Sequence, residues 1–446
     1  MALPPGPKGP PMLLTMHWLR RPFEFLEDCQ ERFGEAFTFR LPQLPPLVVF
    51  SNPEVVKTVF AEPGEALHAG AFNQSLSAFL GDKSVLMVDG AAHMRKRKLL
   101  MPPFHGERML AYGDLMMELA DDAIDALPED GSFSLHERMN GIALDVIIRS
   151  IFGVERGPRE REMKKSITEL LEVMTWPPLL IPFMRTDLGP LSPWGRALRL
   201  LKKADDGLYE EIRARRVNNA GRQDILSLLV DARDEEGKPM EDTELRDELV
   251  TLLVAGHETT ATALTWAMRW VLADPIVEDK LRSELDHAGE LTPQKVQSLP
   301  YLDATAREAL RLCPVIPIVG RILREPMTLG GCDLPAGVGV VCSIYLAHRR
   351  PEAYEDPTRF WPDRFLQKKL TPAEWFPFGG GIRRCIGMAF ALFEMKMVLA
   401  RLFRRTRMKL DSSGPIKPVR RSITLMPSEG LRVKLLSRVP REHHAA

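Results

Sequence analysis

The most informative stretch of this chain is Phe378-Gly379-Gly380-Gly381-Ile382-Arg383-Arg384-Cys385-Ile386-Gly387. It places a cysteine in a glycine-rich loop, directly before an apolar helix predicted from about Gly387 to Arg404. Loop N–H groups and the positive end of that helix would stabilise a thiolate, and the glycines would let the backbone approach a flat cofactor closely. An isolated cysteine is more often a buried structural residue. A phosphate-binding loop is excluded because no Lys-Ser/Thr pair follows the glycines.

A second informative stretch is the long, mostly apolar segment from about Thr243 to Ala273. Asp242 or Thr243 can cap its start and Asp274-Pro275 ends it, which predicts a helix of roughly 45 Å. Its middle holds Ala255-Gly256-His257-Glu258-Thr259-Thr260, and the apolar surroundings indicate a helix through the core. A glycine here weakens the helix by up to about 1 kcal/mol. A threonine hydroxyl can take a carbonyl out of the helix ladder, so the pattern favours a local opening.

Together the two stretches resemble the cytochrome P450 family. The loop is similar to its haem-binding pattern Phe-x-x-Gly-x-Arg-x-Cys-x-Gly, with these residues in place: Phe378, Gly381, Arg383, Cys385 and Gly387. The resemblance implies that Cys385 is the axial iron ligand of a haem b and that Phe378, Arg383 and Gly387 help to bind this cofactor. It also implies a mainly α fold with a minor β region, in one domain over residues 1–446. The haem would lie between the long central helix and the cysteine loop with its final helix.

The motif in the long helix is similar to the family's pattern of a small residue, glycine, any residue, an acid and threonine. The resemblance assigns Thr259 to hydrogen-bond the O₂ being activated and Glu258 to help deliver protons through water. Without the cysteine loop, Glu258 would be a tolerated polar residue of the core and Thr259 ordinary helix content. His257 occupies the variable position, and we expect it to turn away from the Thr259 face and not to bind iron.

The basic run His93-Met94-Arg95-Lys96-Arg97-Lys98 contains two residues at helical spacing, His93 and Arg97, that can address one anion. The resemblance implies that these two, with Arg321 and Arg383, bind the haem propionates, because buried carboxylates need cationic partners. The remaining basic residues are either a solvated helix face or a positive rim for an acidic redox partner. That rim would consist of Arg95, Lys96, Lys98, Arg384, Arg404 and Arg405.

Two further segments indicate structural support. In Glu308-Ala309-Leu310-Arg311 the acid and the base share a helix face, which alone usually means a weak surface ion pair. Downstream, Trp361-Pro362-Asp363-Arg364-Phe365 resembles the family's Pro-Glu-Arg-Phe segment, with Asp363 in place of Glu. The resemblance implies that Glu308, Arg311 and Arg364 form a buried and fully paired network behind the haem loop.

The composition excludes several classes of protein. The chain has 446 residues, of which 45% are hydrophobic and 27% charged, with no linker, low-complexity block or repeat. Its 60 basic and 60 acidic residues give no indication of a nucleic-acid partner. The 5 cysteines lack C-x-x-C pairing, which argues against disulfides or a zinc site and fits a reducing cytoplasm. No apolar run predicts a signal peptide or a membrane span, and we expect a cytoplasmic monomer.

The resemblance implies a monooxygenase that inserts one oxygen atom from O₂ into an apolar small molecule: a fatty acid, terpenoid, steroid or polyketide. The sequence holds no dinucleotide fingerprint, so electrons are expected from a ferredoxin or flavodoxin and its NAD(P)H reductase. Apolar residues around Ala71–Val88 and Val315–Val319 are expected to line the pocket. The alternatives are a haem-thiolate peroxygenase or isomerase, and a haem sensor. Neither class needs the acid–alcohol pair that Glu258 and Thr259 form.

Smaller elements are also predicted. Pro22–Phe33 has the pattern of a helix with proline in its first turn. Phe37–Leu41 and Leu47–Phe50 form a hairpin pattern, and Val338–Ile344 is a further strand. From about Met109 to about His287 the pattern is helical throughout, with breaks at Gly-Pro, Pro-Pro and Asp-Glu-Glu-Gly.

Overall fold

A computed structural model gives the structure of residues 2–42, 44–106, 108–154, 156–174, 189, 192–411 and 414–441. The helices are α1 (Pro11–Arg20), α2 (Pro22–Phe33), α3 (Pro53–Ala61), α4 (Ala69–Asn73), α5 (Ser77–Leu80), α6 (Gly90–Leu100), α7 (Arg108–Asp125), α8 (Leu135–Phe152), α9 (Pro158–Met174), α10 (Pro193–Val217), α11 (Ile225–Asp231), α12 (Asp242–Ala273), α13 (Pro275–His287), α14 (Pro293–Gln297), α15 (Pro300–Leu312), α16 (Ile344–Ala347), α17 (Arg364–Gln367) and α18 (Met388–Arg405). The strands are β1 (Ala36–Phe39), β2 (Leu47–Phe50), β3 (Leu67–His68), β4 (Phe133–Ser134), β5 (Ile318–Leu323), β6 (Met327–Leu329), β7 (Cys332–Leu334), β8 (Gly339–Ser343), β9 (Thr406–Leu410), β10 (Pro418–Arg421), β11 (Thr424–Pro427) and β12 (Arg432–Arg438). The fold is therefore mainly α with a minor β region, as predicted.

The largest sheet has the strand order β1-β2-β8-β5-β3. Its hairpin pairs Ala36 with Phe50 and Phe39 with Leu47, which confirms the predicted antiparallel pair. The first strand ends two residues earlier than predicted, before a proline-rich connection that cannot donate ladder hydrogen bonds. The predicted strand at residues 338–344 is β8, which pairs with β2 in parallel and with β5 in antiparallel orientation. This sheet positions β5, and with it Arg321.

The central helix α12 spans 32 residues and packs against α8, α15 and α18. Its start differs from the prediction, since neither Asp242 nor Thr243 is the capping residue. Glu241 caps it instead, accepting from the backbone of the first turn, while the Glu244 side chain accepts from the Glu241 N–H at 3.0 Å. This reciprocal capping box satisfies two backbone donors at once, which is why it prevails over a single cap.

The final helix α18 packs against α7, α12 and α15, and the cysteine loop that precedes it packs against α3. In the region predicted as helical from Met109 to His287, the described residues form seven helices, α7 to α13, with short connections, an isolated bridge between Arg233 and Pro239, and the strand β4, which pairs with β12 near the end of the chain. Because the two strands are far apart in the sequence, no local sequence pattern predicts this pairing. Residues 175–188 of this region lie outside the described residues. Among the helices that the structure describes, none is both long and apolar enough to cross a membrane.

Candidate active site

The cysteine loop is a tight turn held by its own backbone. The Cys385 N–H donates to the Phe378 carbonyl at 2.9 Å, and Arg384 N–H donates to Gly381 O at 3.1 Å. Gly381 has a φ of 63°, and a Cβ there would collide with the Phe60 carbonyl of α3. Glycine at this position lets α3 and the loop approach each other at backbone distance.

The Cys385 thiol lies at the start of α18, surrounded by protein but with accessible surface. Burial raises the pKa of the thiol, whereas a hydrogen bond from the Gly387 N–H and the charge of Arg97 lower it. The Arg97 guanidinium reaches this position because its Nη1 donates to Arg384 O at 2.6 Å. Burial is the largest effect and the pKa is raised overall, so the loop N–H and the nearby cation offset it only in part, and the thiolate remains a prediction of the loop pattern.

The middle of α12 carries an accessible face inside a buried helix. Ala255 is exposed and Thr259 half-buried, whereas His257 and Glu258 are buried. The Thr259 hydroxyl donates to Ala255 O at 2.6 Å, and the Thr260 hydroxyl donates to Gly256 O at 2.9 Å. Both threonines therefore bond to carbonyls of the preceding turn, the arrangement expected to loosen the helix at this point.

His257 lies away from that face, as expected from its position in the motif. Its side chain is 5% exposed, and Nδ1 is 2.8 Å from Leu253 O. Burial lowers its pKa to about 4, so the ring is neutral at neutral pH.

Glu258 has partners that the sequence does not reveal. Its Oε1 lies 2.9 Å from the Thr424 hydroxyl and 3.7 Å from Arg421 Nε, both on the β10–β11 hairpin. Burial raises the pKa of Glu258, and Arg421 and Thr424 oppose that shift. Thr424 is 166 positions away from Glu258 in the sequence, and Arg421 belongs to the same hairpin. No local sequence pattern could therefore have identified these contacts.

The four basic residues predicted to bind propionates form one cluster. The pKa of His93 falls to about 4, first because of burial and then because of the charges of Arg383, Arg97 and Arg321. Arg321 is 8% exposed, and its Nη1 donates to the carbonyl of Gly320 at 3.0 Å. The structure thus brings together residues from α6, β5 and the cysteine loop.

Asp89 joins this cluster and was missed by the sequence analysis. The Arg383 guanidinium binds the Asp89 carboxylate and the Val88 carbonyl, and also donates to Val85 O at 3.1 Å. Asp89 in turn accepts from the backbone N–H of Gly70 at 2.9 Å. It ties the segment before α6 to the cysteine loop. Its position directly before α6 was the signal that the sequence offered.

The residues present fit a haem. Of the three guanidinium groups, Arg383 is the one that forms an ion pair with Asp89, and the mutual effect of Arg383, Arg97 and Arg321 is repulsive. This excess of positive charge suits two propionates. His93 Nδ1 is buried without a hydrogen-bond partner among the described residues. Cys385 supplies a sulfur with accessible surface, and a thiolate of this kind is the ligand that a haem-thiolate iron takes.

The predicted positive rim is largely neutralised within the chain. Arg95 lies 3.2 Å from Glu244, and Lys96 lies 2.8 Å from the same carboxylate. Lys98 lies 2.6 Å from Glu235. Lys96 is also only 4% exposed, so the prediction is wrong for this residue: packing of α6 against α12 buries it.

The other members of the rim differ among themselves. Arg405 is buried and binds Asp121 at 3.0 Å, so it too is wrongly assigned to a surface. Arg404 forms an ion pair with Asp286 at 2.6 Å. Arg384 is exposed next to Cys385.

The support network is confirmed. Glu308 and Arg311 have no exposed side-chain area, and they are joined by bonds of 2.6 and 2.8 Å. Arg364 Nε lies 3.0 Å from the Glu308 carboxylate. Asp363, which replaces the family's Glu, binds Lys280 at 2.9 Å and leaves the network intact.

Comparisons with known proteins agree with this geometry. A model of the cytochrome P450 family matches residues 4–435. A Mycobacterium tuberculosis protein that bears the name cytochrome P450 135B1 is 38% identical over 437 residues, covering 98% of this chain and 92% of its own. Another, named cytochrome P450 135A1, is 37% identical over 445 residues, with 97% and 95% covered. The solved structure of retinoic acid bound cyanobacterial CYP120A1 superposes with a TM-score of 0.87 at 27% identity, over 98% of this chain and 100% of that one.

The chain belongs to the cytochrome P450 family. It is accordingly an enzyme, a haem-dependent monooxygenase. Members of this family generally act on apolar substrates and take electrons from a redox partner.

Proposed function

We propose that this protein, as one catalytic domain over residues 1–446, inserts one atom of O₂ into an apolar small molecule. Electrons would come from a separate ferredoxin or flavodoxin and its NAD(P)H reductase, and the enzyme would act as a cytoplasmic monomer. The observation that carries the proposal is the acid–alcohol pair at the accessible middle of α12, with Thr259 next to the exposed Ala255 and a buried Glu258. Only O₂-dependent chemistry needs such a pair.

Each predicted cofactor residue has a role in this proposal. Cys385 Sγ would bind the iron, and Phe378 and Gly387 would shape the loop around it. Four basic residues would hold the propionates: His93, Arg97, Arg321 and Arg383. When bound, the haem supplies the one-electron and O₂ chemistry that protein side chains lack.

The protein residues would manage the protons. Burial raises the pKa of Glu258, which shifts this carboxyl toward the protonated form that a proton donor needs. Glu258 and Thr259 are consecutive in a helix and do not share a face, so water must bridge them. The Thr259 hydroxyl, which bonds to Ala255 O, can accept from that water and orient it toward the accessible face.

An apolar substrate is supported by the contact between the two predicted pocket segments. Helix α4 packs against β5, and the Phe72 ring lies directly at Gly320. The structural relative CYP120A1 was solved with retinoic acid bound. We propose a substrate of this general character: a fatty acid, terpenoid, steroid or polyketide.

The test is the coupling of reducing equivalents to product in Thr259→Ala, with a surrogate ferredoxin system and a substrate found by a spectral binding screen. We expect product per NAD(P)H to fall at least severalfold while hydrogen peroxide rises, because proton delivery is no longer ordered. Glu258→Gln should instead slow the whole O₂-dependent cycle. Thr260→Ala is the matched control, since its hydroxyl bonds to a carbonyl of the same helix but is buried away from the accessible face.

Equal coupling in Thr259→Ala and the wild type would contradict the proposal and favour a peroxygenase or isomerase. Complete absence of turnover with every reductant, in a protein that binds haem normally, would favour a sensor.

A further inference from the structure

The β10–β11 hairpin reaches the central helix at Glu258. Arg421 and Thr424 are cross-strand partners on either side of a two-residue turn, so their side chains lie on the same face. Thr424 is 2% exposed and its hydroxyl is 2.9 Å from Glu258 Oε1. The Arg421 side chain is 37% exposed, which places a guanidinium between Glu258 and solvent.

The Thr424 hydroxyl has two acceptors but a single proton. Besides Glu258, it lies 2.8 Å from the backbone carbonyl of Arg421. When Glu258 is protonated, its O–H can donate to the Thr424 oxygen while the hydroxyl donates to Arg421 O. When Glu258 is ionised, the hydroxyl can turn and donate to the carboxylate, beside the Arg421 charge. Both protonation states of the acid are therefore satisfied by the same two residues.

The hairpin is a rigid support for this contact. The Leu425 N–H donates to Val315 O at 3.0 Å, and Trp266 Nε1 of α12 donates to Leu425 O at 2.7 Å. These two bonds hold Leu425, and with it the neighbouring Thr424, in place. Because an unsatisfied buried polar group is costly, the fixed Thr424 hydroxyl also fixes where the Glu258 carboxyl points.

Two histidines lie near this contact, and both are neutral at neutral pH. His257 on α12 and His136 on α8 both have pKa values lowered to about 4, chiefly by burial. His136 Nε2 lies 3.3 Å from the Thr262 hydroxyl. Arg421 is thus a permanent cation beside the acid, and its removal should act directly on the acid.

We propose that Thr424 and Arg421 are positioning residues for Glu258, holding its carboxyl in place while it gains and loses the proton used in O₂ activation. This inference rests on the proposed role of Glu258 as proton source. Reprotonation would occur from solvent along the half-exposed Arg421 side, and delivery toward the Thr259 side.

Thr424→Val tests the hydroxyl at nearly constant volume. It should lower O₂-dependent turnover severalfold and raise peroxide release, and Thr424→Ser should restore both. Arg421→Gln should raise the pKa of Glu258 further, because a charge that lowers it is lost. The limb of the pH–rate profile that reports Glu258 should then move to higher pH, and Arg421→Lys should largely restore it.

A readout independent of turnover is the infrared band of the protonated Glu258 carboxyl, assigned by its absence in Glu258→Gln. Its titration in the resting holoenzyme should move to higher pH in Arg421→Gln. The matched controls are Thr265→Val, which removes a buried hydroxyl of α12 bonded to Ala261 O at 2.6 Å, and Lys417→Gln, which removes an exposed cation beside the hairpin. Neither should move the band.

A double-variant cycle distinguishes the positioning role of Thr424 from the proposed role of Glu258 as proton source. In a Glu258→Gln background, Thr424→Val should cause no further loss of turnover, and full additivity would overturn the inference. An unmoved infrared titration in Arg421→Gln would overturn it as well. If Glu258→Gln alone leaves O₂-dependent turnover unchanged, the proposed role of Glu258 fails first, and the inference with it.

Discussion

At the scale of single residues, burial sets the protonation state of the ionisable groups near the site. His93, His136 and His257 all have pKa values lowered to about 4, with burial as the largest cause. Burial has the opposite effect on the carboxyl of Glu258, whose pKa it raises. Burial therefore keeps these imidazoles neutral at neutral pH and shifts Glu258 toward its protonated form.

Cys385→Ser should abolish the long-wavelength absorption of the reduced carbon monoxide complex. That absorption depends on a thiolate ligand, and a serine hydroxyl at the same place is a much weaker donor. The measurement is the difference spectrum of the reduced protein with carbon monoxide. Cys332→Ser is the control, because this half-buried cysteine lies on β7, away from the loop. An unchanged spectrum in Cys385→Ser would show that another residue binds the iron.

Glu248 of α12 should make the protein less stable as the pH rises toward neutrality. It is 0% exposed, 3.5 Å from Lys96 Nζ, and burial raises its pKa to about 7. Between about pH 4.5 and about 7 the folded state keeps a proton that the unfolded state has lost, so stability falls as pH rises. The loss is on the order of 3 kcal/mol, from about 1.4 kcal/mol per pKa unit.

The measurement is the urea midpoint across this pH range in Glu248→Gln, which should show a flatter dependence. Glu244→Gln, one turn earlier on α12, is the matched control. Although burial acts to raise its pKa, bonds from Lys96 and the Glu241 N–H lower the pKa overall. Its contribution is present above the unfolded pKa and is lost as pH falls, so the decline toward neutrality should persist in the control. A steep decline in Glu248→Gln would contradict the prediction.

At the scale of secondary-structure elements, the charged network behind the cysteine loop joins α15 to α17. Arg311 donates to the Glu308 carboxylate and also to the carbonyls of His348 and Pro357, at 2.8 and 2.7 Å. Glu308 in addition accepts from the Trp361 N–H at 2.8 Å. Because each charge is fully paired, the network can be buried without a large penalty.

Arg311→Ala should therefore destabilise the protein by about 3–5 kcal/mol, the cost of leaving a buried charge without its partner. The free energy of unfolding and the retention of haem on a desalting column are the two measurements. Arg404→Ala, which breaks the ion pair with Asp286 near the end of α18, is the control and should cost about 0–1 kcal/mol. Similar losses in the two variants would contradict the buried network.

At the scale of the whole molecule, most cations of the predicted rim form ion pairs with carboxylates of the same chain. Residues that were predicted to face a redox partner instead hold α6 against α12, as Arg95 and Lys96 do through Glu244. The surface near the cysteine loop is consequently less positive than the sequence predicts. Arg384 is the exposed member that lies in the loop itself.

Arg384→Glu should slow electron transfer from an acidic ferredoxin severalfold, whereas Lys98→Glu should have a smaller effect. Lys98 already lies beside Glu235, so its charge is partly cancelled. Stopped-flow reduction at several salt concentrations is the measurement, since exposed charges are screened within about 8–10 Å near physiological ionic strength. Equal rates for Arg384→Glu and the wild type at low salt would remove Arg384 from the docking surface.

The sequence by itself determined the elements and motifs whose signals are local. The cysteine loop is contained in ten consecutive residues. Helix α12 ends at Ala273, as predicted, because Asp274-Pro275 follows. These features were predictable because turn chemistry, helix period and proline act over a few residues.

Only the tertiary structure decided which charges are buried and what they contact. Arg383 and Asp89 are 294 positions apart, and Glu258 and Thr424 are 166 apart. Lys96 appears in a basic run that looks solvated, yet packing against α12 buries it. A sequence records the charge of a side chain, but burial and partner depend on how distant elements pack, and those two quantities set its protonation and its role.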